Sequence, residues 1–588
     1  MQRQDNLAIL RVAYDRLPVE DGCVDLVVTP RALVYFDQKK TRKYFKPIDF
    51  LSPEDIVNIK HWSAERVMVL AAEWKEKGKI LPLLIETVGA DLCFLLEYLK
   101  IADLVLTRAW NRGDFTRISV DAFEIGNNMI QHEWANYGYY ELLYNKAWCK
   151  KRSIKFEEIQ YKSSMEAVYH KDPFVIPFWK KCVYTVLGLY RCSQRINMVS
   201  MIGMKMGFAH IVIPKLIVAP TRNVEVMLRY KGSVSLNDYL LILPKEKEKA
   251  KTLQSELISL LEEWFSQKSP AMEGVDLYKE IIERRLTGFI KKRLDLIIAY
   301  IQIKGLKNSK SIKMLLGSAL GCGADAWCSM GIQENGGIVA SGQHGGGYGN
   351  SDSPYARFSD LRYKYFFSFG QLDRSYLSEY QGNIANAKWV VAGSPALYKI
   401  RQSCRLPPKR VAKVLYVMKL CVPFYSFSFP WDNILEQFKV LELLNTFSGR
   451  YSIDVKEARS SIIKQSNYPG LRFINERPEE VLHGYDLLIV ESGVSTVLLE
   501  AASTNKFMVV FTGGEWEDVS QESLDMLSKR TECFNNWNSF LSGLKGILEN
   551  PKLNLNATKL NSSEFVNTYC NPASPEKYVN IIKETFGL

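Results

Sequence analysis

Residues 337–349 have the sequence GIVASGQHGGGYG, in which an apolar run leads into a polar loop dense in glycine. The run from Ile338 to Ala340 predicts a buried strand. The glycines after it permit positive φ and let the backbone approach a ligand closely. One side chain in this loop, that of His344, titrates near neutrality, because the unperturbed pKa of histidine is about 6.5. Two interpretations stay open: an active-site loop, or a surface loop with a hydrogen-bonding histidine.

A second stretch has the same organisation of a strand followed by a small-residue turn. The run Asp486 to Val490 is typical of a parallel strand, and residues 491–496, ESGVST, lead into a helix. Ser492, Ser495 and Thr496 are N-cap candidates, and the first-turn NH groups suit a phosphate. Together the two stretches predict two α/β units with a ligand in the crevice between their loops.

The first stretch belongs to a predicted strand–helix–strand unit. A strand from Ile312 to Leu316 precedes a turn and helix around residues 321–327, and the strand of residues 337–340 follows. A right-handed crossover places the loops after both strands at one edge of the sheet. Asp325 and His344 can therefore share a site, and Asp352 follows in a polar loop that can close over a ligand.

Both stretches resemble a family of sugar transferases encoded in bacterial O-antigen and surface-carbohydrate gene clusters, which is marked by the segment GQHGGGYG. Here Gly342 to Gly349 matches that segment in full. The resemblance continues through residues 358–360, 367–370 and 393–395 and covers about residues 310 to 515. A more distant similarity links such proteins to β-Kdo transferases, which use a CMP-sugar.

The resemblance implies an α/β chain of the GT-B type. Two Rossmann-like domains would face each other across a cleft, with an enlarged aromatic- and helix-rich N-terminal half. It implies a nucleotide-sugar donor, possible contact with an anionic membrane, and a surface-polysaccharide or lipid-linked acceptor. Glu500 would bind the ribose hydroxyls, with a surface helix glutamate as the alternative. The expected donor-binding residues are Gly345, Gly346, Gly347, Tyr348, Ser492, Gly493, Ser495, Thr496 and Glu500.

The expected chemistry assigns one role to the imidazole and another to a carboxylate. His344 would act as a general base toward the acceptor hydroxyl, or as a donor to the leaving phosphate. A carboxylate is needed if configuration is retained through a covalent adduct, and Asp325 and Asp352 are the candidates. No DxD motif has the context of a metal-bound diphosphate, so we expect metal independence and no cofactor.

Proline and glycine divide the chain into expected domains. Residues 1–395 would form an N-terminal α/β domain that carries the glycine-rich loop, and residues 396–410 a linker. Residues 411–570 would form the Rossmann-like donor domain. By resemblance, a last helix within residues 571–588 would pack back on the N-terminal domain.

Composition limits the classes of partner and compartment. The chain has 588 residues, 47% of them apolar, and its 76 basic minus 64 acidic residues give a net charge of +12, which favours anionic partners. No apolar run reaches the roughly 18 residues of a membrane span, so we expect a cytoplasmic protein. The eleven cysteines are scattered, which favours reduced thiols over a disulfide framework or zinc site.

Two other functions remain open. The same fold can serve a nucleotide-sugar epimerase or a polyol-phosphate transferase. From another class, the charge and aromatic content would suit a nucleic-acid-binding protein, although the basic residues are dispersed and no RNP, KH or helix-turn-helix pattern occurs.

The N-terminal half alternates short apolar runs with helical patterns. We expect strands at residues 24–28, 32–36, 80–85 and 102–106, and a helix from Asp55 to Glu76. The aromatic-rich residues 130–220 would supply core rings or sugar-stacking platforms. A basic amphipathic segment at residues 277–303 would either cover a sheet or lie on a membrane.

Overall fold

The computed structural model of the chain describes residues 8–13, 23–39, 44–77, 81–113, 115–121, 139, 142–143, 147–159, 216–218, 233–234, 246–267, 275–304, 312–318, 323–343, 345–348, 363–371, 388–404, 406–419, 421–422, 425–426, 433–456, 463, 465–513 and 519–586. Within these residues, none of the helices combines enough length with enough apolar character to span a bilayer. The predicted α/β class with parallel sheets is confirmed, and the part predicted as one N-terminal domain contains two separate sheets.

The first sheet is parallel and has the strand order β3-β2-β1-β4-β5. Its strands are β1 (Ala8–Ala13), β2 (Cys23–Val27), β3 (Tyr44–Phe45), β4 (Phe115–Asp121) and β5 (Lys155–Ile159). Its helices are α1 (Pro30–Lys39), α2 (Pro53–Glu76), α3 (Leu81–Arg112) and α4 (Ala147–Lys151).

Three strands predicted in this region are wrong, because each belongs to a helix. Residues 32–36 lie in α1, whose start is capped by Thr29: its Oγ1 accepts from Ala32 N at 3.1 Å. Residues 80–85 and 102–106 fall at the start and in the second half of α3, except that residue 80 lies outside the described residues. This helix of 32 residues packs on α2 and on further helices, so its apolar runs are almost continuous. Short apolar runs do not distinguish a buried helix from a strand.

The second sheet is parallel with the order β11-β10-β9-β8-β6-β7. Its strands are β6 (Leu216–Val218), β7 (Ser233–Val234), β8 (Ile312–Ser318), β9 (Ile338–Gly342), β10 (Tyr365–Ser368) and β11 (Lys388–Val391). The helices of this part are α5 (Lys247–Ser266), α6 (Lys279–Lys292), α7 (Leu294–Lys304), α8 (Gly323–Glu334) and α9 (Pro395–Ser403). The apolar faces of α6 and α7 are buried in the large core with α3 and α5, so this amphipathic segment is packed rather than membrane-facing.

The third sheet is parallel with the order β16-β15-β12-β17-β18-β19. Its strands are β12 (Lys413–Val417), β15 (Ser452–Lys456), β16 (Arg472–Ile474), β17 (Leu487–Glu491), β18 (Phe507–Phe511) and β19 (Glu532–Phe534), with a hairpin of β13 (Cys421–Val422) and β14 (Tyr425–Ser426). Its helices are α10 (Asn433–Thr446), α11 (Pro478–Val481), α12 (Thr496–Ala502), α13 (Gln521–Arg530), α14 (Trp537–Glu549), α15 (Pro551–Asn554) and α16 (Pro575–Phe586). This is the doubly wound order, in which the strand order reverses between β12 and β17.

Two apolar clusters connect the third sheet to the other two. Apolar residues at the ends of β1 and β2 and along α1 pack around Ile434 at the start of α10. At the other end of the chain, Tyr578 and Ile582 of α16 pack on Ala340 and Phe367 of the second sheet. The last helix therefore returns from the third sheet to the second.

Asp454 and Arg472 are register partners on β15 and β16 and stabilise the edge of the third sheet. Arg472 Nε donates to Asp454 Oδ1 at 2.8 Å, and the Tyr485 hydroxyl donates to the same carboxylate. Burial alone would raise the pKa of Asp454, but the bonds from Arg472 and Tyr485 hold it below its usual value. A carboxyl group whose pKa is lower in the folded state stabilises the protein at pH values above its unfolded pKa. This stabilisation is lost as the pH falls through the folded pKa.

We expect Arg472→Met to cost about 1–2 kcal/mol at neutral pH. The cost is limited because the Arg472 side chain is 73% exposed, so solvent screens the pair. Urea unfolding midpoints of both proteins, measured at neutral and at acidic pH, should converge as the pH falls through the lowered folded-state pKa of Asp454, below which the carboxyl is protonated in both states. Lys439→Met, which removes an exposed pair with Glu436, is the control and should cost less than about 0.5 kcal/mol. An Arg472→Met deficit equal at both pH values would contradict this assignment.

Candidate functional site

The glycine-rich loop begins where β9 ends, and the buried side chain of Gln343 fixes its first residues. Gln343 is 2% exposed, and its backbone NH donates to Phe367 O at 2.9 Å. Its Oε1 accepts from Phe369 N at 2.9 Å and its Nε2 donates to Gly345 O at 2.8 Å. Because one side chain bonds to the loop on one side and to the end of β10 on the other, the loop cannot shift without breaking buried hydrogen bonds.

The serine-rich turn begins where β17 ends, and its hydroxyls organise the start of α12. All five residues of β17 are buried. Ser492 Oγ accepts from Val494 N at 3.2 Å, which closes the turn. Of the three N-cap candidates, Ser495 is the N-cap residue, since its Oγ accepts from Leu498 N at 3.1 Å.

The two loops touch each other directly. Gly346 N donates to Thr496 Oγ1 at 3.3 Å across 150 positions of sequence. A Cβ added at Gly345 would lie 2.5 Å from Thr496 Oγ1, and one added at Gly346 would lie 2.4 Å from Ser495 O. Gly345 therefore leaves room for the Thr496 side chain and Gly346 for the Ser495 backbone, and the carboxyl ends of β9 and β17 meet at one place.

A buried carboxylate lies at the end of β17, where the strand order of the third sheet reverses. Glu491, the last residue of β17, is 3% exposed. Its Oε2 accepts from Lys419 N at 3.0 Å and from Gln437 Nε2 at 2.6 Å, and its Oε1 accepts from the Tyr416 hydroxyl. Glu491 thus joins the segment after β12 to α10 beside the serine-rich turn, at the position where doubly wound sheets bind ligands.

Other predicted donor-binding residues lie in the same two loops but differ in exposure. Gly347 has φ +87°, which requires glycine or strain. The ring of Tyr348 is buried and stacks on Phe366 with centroids 5.5 Å apart, so the tyrosine anchors the end of the loop. Thr496 is exposed, whereas Glu500, one helical turn later, is half-buried. Their roles in donor binding stay predictions.

The three candidate catalytic residues are described only in part. His344 and Asp352 lie outside the described residues, as does most of the aromatic-rich segment 130–220. Of Asp325 only the backbone is described, in the first turn of α8. The register pairs Ser318 of β8 with Gly342 of β9, so these two strands do end side by side. In the described part of the chain, no three His, Cys, Asp or Glu side chains converge as a metal ion requires.

Two glycines from the segments that carry the resemblance, Gly370 and Gly393, lie where the C-terminal segment crosses the second sheet. A Cβ at Gly370 would lie 1.8 Å from Thr568 O, and one at Gly393, whose φ is +78°, would lie 2.7 Å from Asn571 O. Asn571 Nδ2 donates to Phe369 O at 3.1 Å, and Asn571 itself has φ +33°. These positions therefore allow the C-terminal segment to cross the second sheet closely.

Gln343 and Glu491 are the residues that the sequence did not single out as functional. Both stand at or directly after the end of an apolar strand, and both are buried polar groups with hydrogen-bond partners on a neighbouring element. A polar residue in that position is the signal that could have found them, because a buried amide or carboxylate must be satisfied by a precise partner.

No protein-family model matches the chain, and no curated protein matches it either. Among solved structures, a variant of the wall teichoic acid polymerase TagF soaked with CDPG is 12% identical over 69% of this chain and 98% of its own, with a TM-score of 0.31. A sucrose-phosphate synthase from Thermosynechococcus elongatus is 10% identical over 50% and 78%, with a TM-score of 0.33. A glycosyltransferase from Rickettsia africae is 14% identical over 50% and 81%, with a TM-score of 0.31. These scores are too low to assign an activity.

Proposed function

We propose that the chain is a glycosyltransferase that moves a sugar from a nucleotide-sugar donor to a surface-polysaccharide or lipid-linked glycan acceptor. The second and third sheets would be its two Rossmann-like halves, in a GT-B-like arrangement, with the donor held mainly by the third. The observation that carries this proposal is the contact of Gly345 and Gly346 with Ser495 and Thr496. It joins the loop that resembles surface-carbohydrate transferases to the ligand-binding edge of a doubly wound sheet.

In the proposed reaction, the acceptor hydroxyl oxygen attacks the anomeric carbon of the donor sugar. The new glycosidic C–O bond forms as the bond from that carbon to the phosphate oxygen breaks, and the nucleotide leaves with the bonding electron pair. His344 takes the hydroxyl proton, or alternatively donates to the leaving phosphate. Polar groups of the turn from Ser492 to Thr496 stabilise the charge that grows on the phosphate.

The remaining parts of this proposal depend on the sequence. If configuration is retained through a covalent adduct, Asp325 or Asp352 is the nucleophile. Transfer would need no metal ion. The reaction would take place in the cytoplasm, at the inner face of the membrane when the acceptor is lipid-linked.

Thermal-shift screening with CMP, UDP, GDP and CDP compounds tests donor binding. We expect one nucleotide class to raise the unfolding temperature of the wild type, because a ligand that binds only the folded state stabilises it. Thr496→Arg, which puts a long side chain between the loops, should abolish that shift, and thermal unfolding of the free variant establishes that it is folded. Lys439→Met is the matched surface control and should retain the shift.

Nucleotide sugars of the class that binds are then tested in transfer assays, in which product mass and sugar stereochemistry identify the reaction. If no nucleotide produces a shift, or if donors turn over without transfer to an acceptor, the proposal is wrong.

A further inference from the structure

The amino-terminal edge of the third sheet carries two unusually exposed leucines. Among the described residues, Leu406 is 81% and Leu553 is 78% exposed. Leu406 lies in the segment from Cys404 to Ala412. At one end of this segment, Cys404 O accepts from Asn505 N, just before β18, at 3.2 Å. At the other end, Ala412 O accepts from Ser452 N, at the start of β15, at 3.0 Å. Leu553 follows α14, whose last carbonyl, that of Glu549, accepts from Arg450 Nη1 at 2.7 Å. Both leucines therefore lie at the same edge.

Exposed basic side chains lie in the same segments at this edge. They are Lys409, Arg410, Lys413, Arg450, Lys545 and Lys552. Two acidic side chains at the edge are engaged by their surroundings. Asp486 Oδ2 accepts from the backbone NH groups of Ala412 and Lys413, each at 2.9 Å, and Glu549 lies 3.9 Å from Lys545 Nζ. The edge thus presents two exposed leucines together with exposed basic side chains. We call this surface the leucine–basic edge.

The leucine–basic edge lies away from the candidate site. Parallel strands begin at one edge of a sheet and end at the other, and the serine-rich turn follows the carboxyl end of β17. A partner bound at the leucine–basic edge therefore leaves the contact between Gly346 and Thr496 unobstructed.

We propose that the leucine–basic edge binds the surface of an anionic lipid bilayer. Lysine and arginine are attracted to anionic headgroups. Exposed leucines are stabilised when they leave water for the boundary between the headgroups and the acyl chains. Nucleic acid would use the cations but would leave both leucines in water, so the pair of leucines favours the bilayer. That the membrane also supplies a lipid-linked acceptor rests on the proposed function, whereas the binding itself does not.

Flotation with vesicles tests this surface without donor or acceptor. The wild type should float with vesicles that contain phosphatidylglycerol and remain unbound with phosphatidylcholine alone. The double variant Leu406→Asp with Leu553→Asp should partition at least about tenfold more weakly. Neutralising Lys409 and Arg410 to glutamine should weaken partition about fivefold per residue. Val391→Asp, at an exposed position on β11 of the second sheet, is the matched control and should float like the wild type.

Three outcomes would overturn the proposal: no partition into anionic vesicles, equal partition into both vesicle types, or partition that the leucine substitutions leave unchanged in folded protein. Salt-dependent retention on nucleic acid without vesicle binding would overturn it as well and would assign the basic residues to a different partner. Thermal unfolding of each variant establishes that it is folded. Nucleotide binding is measured separately, so loss of one activity is distinguishable from loss of the other.

Discussion

The His344→Ala variant is expected to fold like the wild type and to transfer sugar about 10²–10⁴-fold more slowly, because that is the usual contribution of one general acid or base. The neighbours of this residue are held firmly. Gln343 and Gly345 are joined by a 2.8 Å hydrogen bond, and Gln343 is fixed to the end of β10. The effect should therefore fall on kcat rather than on donor affinity, which steady-state kinetics and nucleotide thermal shifts would separate.

His483→Ala provides the matched control, since His483 is an exposed histidine before β17 and lies outside the candidate loops. It should retain the wild-type rate. Imidazole added to the buffer should restore part of the activity of His344→Ala but none to a variant that is merely unfolded. A folded His344→Ala enzyme with the wild-type rate would remove the imidazole from the mechanism.

The strands that position the candidate site were predictable, because each is a short buried run that ends in small polar residues. The run Asp486 to Val490 predicts β17 within one residue at each end, and the helix after Ser495 begins where its capping hydroxyl indicates. The meeting of the loops was expected from the two strand-and-turn patterns. The tightness of that contact was not, because sequence spacing does not report an approach across 150 positions.

The N-terminal half was harder to predict for a physical reason. In α3 the buried residues Leu84, Val88, Leu92 and Leu99 lie among other apolar residues, so the helix lacks a clear polar face. Without a polar face, the helical period is not visible in short windows. Partition of the first 395 residues between two sheets also depends on which strands pair, and pairing is a tertiary property.

The Gly346→Ala variant is expected to lose about 10²-fold in transfer rate. Its Cβ would lie 2.4 Å from Ser495 O, and neither backbone can rotate away as a flexible side chain would. The two loops must therefore separate, and displacements near 1 Å at a reacting centre cost about that factor. Gly449→Ala is the control, because a Cβ there meets nothing within 4 Å. It should keep the wild-type rate, measured under the same conditions.

Gly345→Ala distinguishes contact between the loops from general intolerance of substitution. Its Cβ would meet Thr496 Oγ1 at 2.5 Å and the Thr496 Cβ only at 3.8 Å, so Thr496→Ala removes the obstructing atom. The double variant should recover much of the unfolding temperature that Gly345→Ala loses, whereas Thr496→Ala should not rescue Gly346→Ala, because that collision is with backbone. Residues in contact show such coupling, and distant residues do not. Additive losses in the first pair would mean that the loops do not touch in solution, and the proposed site would lose its basis.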